Sequence, residues 1–282
     1  MVQPLSIGNV INVSIKLYRS HFKLYSKLSI IAHLWLLVPI YGWAKFSAIC
    51  AIISRLTFSE LLGQPESTNF VRSQVNRRMW QLLTASILVG LMLLATIILS
   101  IILFFVAAVL LTVVIYTYLV FFAPQMINNT DISYGLGLFW AVLIYIFVPL
   151  AVSWVSSRLF IIELPLAIEA ETNYINTIKC SWDLTKGFIK NIQGVMAIAF
   201  LLPLPIYILV WVSLISLIGF IMKFLTVPYE YDSIIAIGLL VVVNLVCGAI
   251  TMPFWQAIKA VLYYDFRRRR EGLGWQLPRV EK

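Results

Sequence analysis

Leu82-LTASILVGLMLLATIILSIILFFVAAVLLTVVIYTYLVF-Phe122 is a run of 41 residues without one charged side chain. About 20 apolar residues in a helix already cross the roughly 30 Å hydrocarbon core of a bilayer, so a run of this kind places the chain in a membrane. As one straight helix it would be about 60 Å long, about twice the hydrocarbon thickness. The length therefore predicts two helices with a tight turn between Ser100 and Ala108, although no Pro or Gly stands there to mark it.

The rest of the composition agrees. Of 282 residues, 61% are hydrophobic and 12% charged, and the mean hydropathy is +0.94. An average soluble domain is about 45–50% apolar and about 25% charged. No polar block is long enough for a separate soluble catalytic domain. The expected fold is an all-α, polytopic transmembrane bundle of about six spans with amphipathic interfacial helices. It is organised as an N-terminal interfacial helix over residues 1–27, a transmembrane domain over 28–262 and a basic cytoplasmic tail over 263–282.

Working outward, Leu28 to Ser54 is long enough to span but contains Pro39, Gly42 and Lys45. Pro39 should bend or break the helix, which leaves one kinked span and a re-entrant pair of short helices both open. Further spans are expected at Leu136 to Ser157, Ile192 to Ile221 and Ile234 to Leu262. Pro124-QMINNT-Asp131 reads as a turn region. Residues 1–27 repeat apolar side chains at Ile7, Val10, Ile11, Val13 and Leu17 between Lys16, Arg19 and Lys23, the pattern of a helix lying in the headgroup interface. The same basic residues do not form the short basic start of a signal peptide, so a retained N-terminus is expected. Leu166 to Phe188 predicts a surface helix after Pro165, with Trp182 near the headgroups.

The net charge of +9 rests on 21 Lys and Arg against 12 Asp and Glu. Four lie in residues 1–27, four between Arg158 and Lys190 and seven from Lys259 to Lys282, while residues 123–134 have none and 223–233 have one. Six spans with both termini cytoplasmic put the basic regions inside, in a bacterial inner or thylakoid membrane. Arg55 to Gln81 disagrees, because its four arginines fall outside in that arrangement. A re-entrant 28–54 and a single helix over 82–122 would move it inside. Anionic membrane lipids are the expected partners, with a membrane protein complex or homo-oligomer, and no nucleic acid.

Catalytic sets are missing: there are two histidines, His21 and His33, and no metal-ligand, phosphate-loop or nucleophile-elbow motif. The expectation is no enzyme and no cofactor. Cys50, Cys180 and Cys247 predict neither a disulfide framework nor a metal site. Ionisable groups near membrane depth are the candidates for function. A polar cluster of Lys45, Arg158, Glu163, Glu169 and Asp265 is expected, with a bend at Pro165 drawing Arg158, Glu163 and Glu169 towards Lys179 or Lys186. Arg267, Arg268, Arg269 and Arg270, with Lys259 before them, are expected to bind lipid phosphates or a protein partner. Asn244 and Gln256 are suited to interhelical hydrogen bonds. Tyr118–Ile127 and Arg158–Ile168 share an apolar-to-proline junction, as duplicated helix pairs would.

Phe160 to Pro165 with Glu169, Lys179-CSWDLTK-Gly187, and Tyr263-Tyr-Asp265 through Arg270-Glu-Gly272 resemble the membrane-domain family fused to some bacterial glycerophosphoryl diester phosphodiesterases and related six-span proteins. The resemblance is firmest from residue 158 onward. It implies a multipass membrane module without an assigned reaction. The soluble barrel that carries the phosphodiesterase in fused members has no counterpart in this chain, so that activity is not implied. A non-catalytic assembly, scaffold or lipid-binding accessory module is the leading expectation. A transporter or permease for a small or amphipathic solute, motivated by broken helices and Lys45, is the alternative.

Overall fold

Chain segments with helical periodicity and no strand pattern fold here as helices throughout. The computed structural model describes residues 5–124, 130–169, 173–225 and 232–271, and those residues hold eleven α-helices. The expected turn at Pro124–Asp131, the 223–233 loop and the tail beyond Glu271 lie largely outside the described residues. The helices are α1 (Ile7–Ser20), α2 (Phe22–Trp35), α3 (Tyr41–Leu61), α4 (Thr68–Asn76), α5 (Met79–Phe122) and α6 (Thr130–Leu159). They continue as α7 (Glu163–Ile168), α8 (Tyr174–Leu184), α9 (Ile189–Leu201), α10 (Leu204–Leu225) and α11 (Asp232–Glu271).

Among the described residues, four stretches are long and apolar enough to cross a membrane: Met79–Phe122, Tyr134–Ile168, Ile189–Phe220 and Leu240–Arg270. The chain is a membrane-embedded, multi-span helical protein. One expectation is corrected. Leu82 to Phe122 is not two helices with a turn near Ser100 but the body of one 44-residue helix, α5. A helix satisfies its own backbone hydrogen bonds, so it can continue past the thickness of the hydrocarbon, and nothing from Ser100 to Ala108 breaks it.

The chain divides into two compact units, Met1–Ser86 with Phe160–Lys282, and Ile87–Leu159. In the second, α5 and α6 keep most of their large apolar side chains exposed, with Leu103, Phe105, Leu110 and Phe121 on α5 and Leu138 and Tyr145 on α6. Phe104 meets Trp140 edge-on at 5.5 Å.

The first unit is built around the C-terminal half of α11. Ala257, Ile258, Ala260, Val261, Leu262, Tyr263, Tyr264 and Phe266 are all buried there. Around them pack Val10 and Ile11 of α1, Phe58 of α3, Leu164 of α7, Leu184 of α8 and Ile192 and Val195 of α9. The apolar face of α1 is thus turned onto the protein, while Lys16 and Arg19 remain exposed. Its first turn is capped by Ser6, whose hydroxyl accepts from the Asn9 amide at 3.3 Å. The expected surface helix over 166–188 is instead α7, buried at Leu164, Leu166 and Ala167, followed by the separate and partly exposed α8. The first residues of the expected tail, 263–271, continue α11 as helix.

A second cluster gathers α2, α3, α4 and the start of α5, with Ala32, Ala48, Ala51, Ile52, Val71, Val75, Leu82 and Ala85 among its members. Small residues let helix backbones approach closely, which is how membrane helices gain packing when burial from water is no longer the drive. Leu28 to Ser54 is therefore not a kinked span. It is a hairpin in which α2 ends at Trp35, the chain turns through Leu36–Ile40, and α3 folds back so that His33 meets Phe46 edge-on at 5.4 Å.

Candidate functional site

Three carboxylates meet three cations along the C-terminal half of α11. Glu163, at the start of α7, accepts a charge-assisted bond from Lys259 Nζ at 2.9 Å. Glu169, at the other end of α7, pairs with Arg267 Nη2 at 3.0 Å and accepts from the Tyr263 hydroxyl at 3.1 Å. Lys259, Tyr263 and Arg267 follow one another at four-residue intervals, which stacks them on one helix face. The six residues of α7 run beside that face, so one short helix carries both glutamates to it. Asp265, on another side of α11 and only 4% exposed, pairs with Arg269 one turn later.

Further polar groups tie this ladder to the neighbouring helices. The Ser54 hydroxyl lies 2.8 Å from Gln256 Oε1 and 3.2 Å from Glu163 Oε1, and its single proton serves both. The Lys259 ammonium also sits 5.7 Å from the centroid of Phe160, and the Arg267 guanidinium lies 5.4 Å from the centroid of Tyr263. Arg269 lies over Phe188 at 4.7 Å, and Arg270 donates to the Lys186 carbonyl at 3.4 Å. The turn that presents Phe188 needs Gly187, whose φ of +90° few other residues adopt.

Two arginines that sequence reasoning put in a loop of uncertain side complete the arrangement. Arg55 grips Glu66 through two bonds of 2.7 and 2.8 Å and donates to the Ala167 carbonyl at 2.8 Å. Arg78 donates to the carbonyls of Leu166 at 3.3 Å and Glu169 at 2.5 Å. Both arginines therefore hold the backbone at the C-terminal end of α7, where unpaired carbonyls need donors.

The expected residues divide as follows. Glu163 and Glu169 reach Lys259 and Arg267, not Lys179 or Lys186, whose side chains are exposed. Arg158 belongs to the other unit, at the end of α6, with its guanidinium 5.5 Å from the centroid of Trp154. Lys45 stands near the start of α3, with its ammonium 5.5 Å from the centroid of Tyr41. Of the four arginines, Arg267 and Arg269 are engaged within the protein, Arg268 is half-buried and Arg270 is exposed. Ser54, Arg55, Glu66, Arg78 and Tyr263 were not foreseen. The four-residue spacing of Lys259, Tyr263 and Arg267 was the one readable signal.

Chemically this is a lattice of matched charges. Each of the three carboxylates is committed to a cation. Among the described residues, no group of three or more His, Cys, Asp and Glu could hold a metal ion. Cys50 and Cys247 are buried thiols, and Cys180 is partly exposed. A groove of about 610 Å³ along α10, from Leu201 to Ser213, carries no ionisable side chain.

No protein-family model, curated protein or solved structure matches this chain. Glu163 and Glu169, Lys186 and Gly187, and Tyr263 to Arg270 form one contact region.

Proposed function

We propose that the chain is a non-catalytic membrane module that holds a membrane assembly together and binds anionic lipid. The observation that carries this reading is a division of labour. The ionisable groups near membrane depth are engaged mainly with one another in the first unit, while the long helices offer apolar surface on all sides. The apolar windows of Met79–Phe122 and Tyr134–Ile168 bury none of their residues. α5 is about 66 Å long by its residue count, so it has more apolar surface than a roughly 30 Å core covers at ordinary tilt. A membrane protein partner that packs along α5 accounts for that excess.

Four spans, with α1, α4, α7, α8, the bases of α2 and α3 and the end of α11 on the cytoplasmic side, put 19 of the 21 Lys and Arg on that side, with Lys45 inside the hairpin and Lys223 the exceptions. The contacts of Arg55 and Arg78 with α7 support this arrangement over six spans. A bacterial inner or thylakoid membrane remains the expected address. The resemblance to the phosphodiesterase-associated membrane domains supports a module without a reaction of its own.

The test is a photo-crosslinking residue at Leu103 or Leu110 of α5 in native membranes, combined with flux assays of the purified chain in liposomes. A defined adduct to one membrane protein, in stoichiometric yield and without solute flux, supports the proposal. Adducts to lipid alone, with saturable solute flux by the isolated chain, overturn it in favour of a transporter. Lys45 beside a broken helix is the observation that favours that second reading.

A further inference from the structure

The turn between α2 and α3 is unusual in itself. Ile40 has φ 59° and ψ −69°, and the Tyr41 amide donates to the Pro39 carbonyl at 2.7 Å. This is a γ-turn of the positive-φ form, which is strained and costs a β-branched residue most. Two residues later, Gly42 is pressed against α2: a Cβ there would stand 1.9 Å from the Trp35 carbonyl oxygen. The chain is thus reversed sharply at a tip made of apolar side chains, and Leu34, Leu37, Val38, Ile40 and Trp43 are all exposed.

The depth of the tip follows from its register with α11. His33 packs at Gly248, where a Cβ would stand 2.5 Å from its Nε2. Ser29 reaches the Met252 sulfur at 3.7 Å, so α2 runs antiparallel to α11. Ser54 meets Gln256 and Phe58 meets Tyr263, so α3 runs parallel to it. The charge-free stretch of α11 between Asp232 and Lys259 is about 39 Å long and has its midpoint at Leu245–Val246. His33 at Gly248 is therefore already near mid-span, and the tip lies one turn beyond. Counting back from Ser29 brings Lys23 to the level of Lys259. From Lys27 to Leu37 the hairpin descends about 15 Å, half of the hydrocarbon core.

We infer that the α2–α3 hairpin is a re-entrant element that enters the leaflet on the basic side and ends at the bilayer centre. Its exposed tip contacts acyl chains, and the exposed Lys16, Arg19, Lys23 and Lys27 at its base contact anionic headgroups. Aliphatic side chains at the tip and exposed basic side chains at the base match the order of a single anionic leaflet from its centre to its surface. Within the turn the amides of Leu36, Leu37 and Val38 donate to the carbonyls of His33, Leu34 and Trp35, and the Tyr41 amide donates to Pro39, so the chain itself satisfies amides that lipid could not.

The full chain is reconstituted in liposomes of zwitterionic and anionic phospholipid with single nitroxides at Lys23, Ile30 or Leu37, all exposed positions. Collision with oxygen, which concentrates at the bilayer centre, and with a water-soluble nickel chelate reads the depth. The expected profile is chelate access at Lys23 that is lost at Leu37, with oxygen access rising monotonically from Lys23 through Ile30 to Leu37. Chelate access at Leu37 overturns the inference, because the tip then lies in water on one face or the other. Loss of both collisions at Leu37 overturns it as well, because protein then covers the tip. Native Trp43 gives an unlabelled check: lipid brominated near the chain ends should quench the fluorescence that is lost in Trp43→Phe more than lipid brominated near the headgroup. The reverse order overturns the inference independently of any labelled variant.

Discussion

Lys259 and Glu163 show what an ionisable residue does in this protein. Their side chains are 19% and 17% exposed, so neither charge is fully hydrated and each relies on the other. Breaking such a pair by removing one member leaves an uncompensated charge and costs about 3–5 kcal/mol, whereas replacing both with apolar groups is often close to neutral. Lys259→Met should therefore lower Tm in detergent strongly, and Glu163→Leu with Lys259→Met should recover most of the loss. A double variant as unstable as the single one would mean that the pair does more than balance charge. Tyr25 adds a pH dependence. Burial, with the Glu60 carboxylate beside it, pushes its phenol up to about 12, from about 10 in an unfolded chain. The neutral phenol is the form that fits, so its contribution is complete below pH 10 and is lost as pH rises through 12. Tyr25→Phe should flatten the fall of Tm over that alkaline interval, which a Tm series against pH measures.

At the scale of the helix pair, the sharpest expectation concerns the contact of α3 with the end of α2. Gly42→Ala places a methyl group against the Trp35 backbone, where no side-chain movement can relieve it. Overpacking costs about 1–3 kcal/mol, and a clash with backbone belongs at or above the upper end. Gly90→Ala in α5 meets nothing within 4 Å and should be neutral or stabilising. Thermal unfolding of the two variants side by side measures the difference, and equal Tm values would refute the tight hairpin. The existence of the hairpin was only half legible. Pro39 and Gly42 marked a break, but the choice between a kink and a reversal depends on Ala32, Ala48 and Ala51 packing together, which periodicity alone does not reveal. α5 misleads in the opposite direction: its length argues for a turn, although no turn residue stands between Ser100 and Ala108. The candidate site was legible as residues and not as pairs. Glu163, Glu169, Asp265, Lys259 and Arg267 all stood out by charge in an apolar chain. Which of them meet is decided by α7 lying along α11, some hundred residues away in sequence.

For the whole molecule, the count of spans decides where every loop faces, and the contacts of Arg55 and Arg78 make that count testable. Both donate to carbonyls of α7, so the segment from Arg55 to Arg78 and the segment that contains α7 share one side of the protein. Six spans separate them across the bilayer; four spans, with α2 and α3 returning to the side they entered from, keep them together. Gln64 and Lys186 are exposed and lie on these two segments. Each is replaced by Cys in turn in intact right-side-out cells or vesicles, with the native thiols removed, and treated with a membrane-impermeant maleimide. Four spans predict that Gln64→Cys and Lys186→Cys are both protected in sealed membranes and both react after lysis. Reaction of Gln64→Cys alone in sealed membranes would restore the six-span arrangement, in which residues 28–54 cross the bilayer once. The same-side result carries a physical consequence for the protein as a whole. Its ion pairs, its amphipathic α1 and the exposed lysines of α2 then form a single basic layer at one membrane surface.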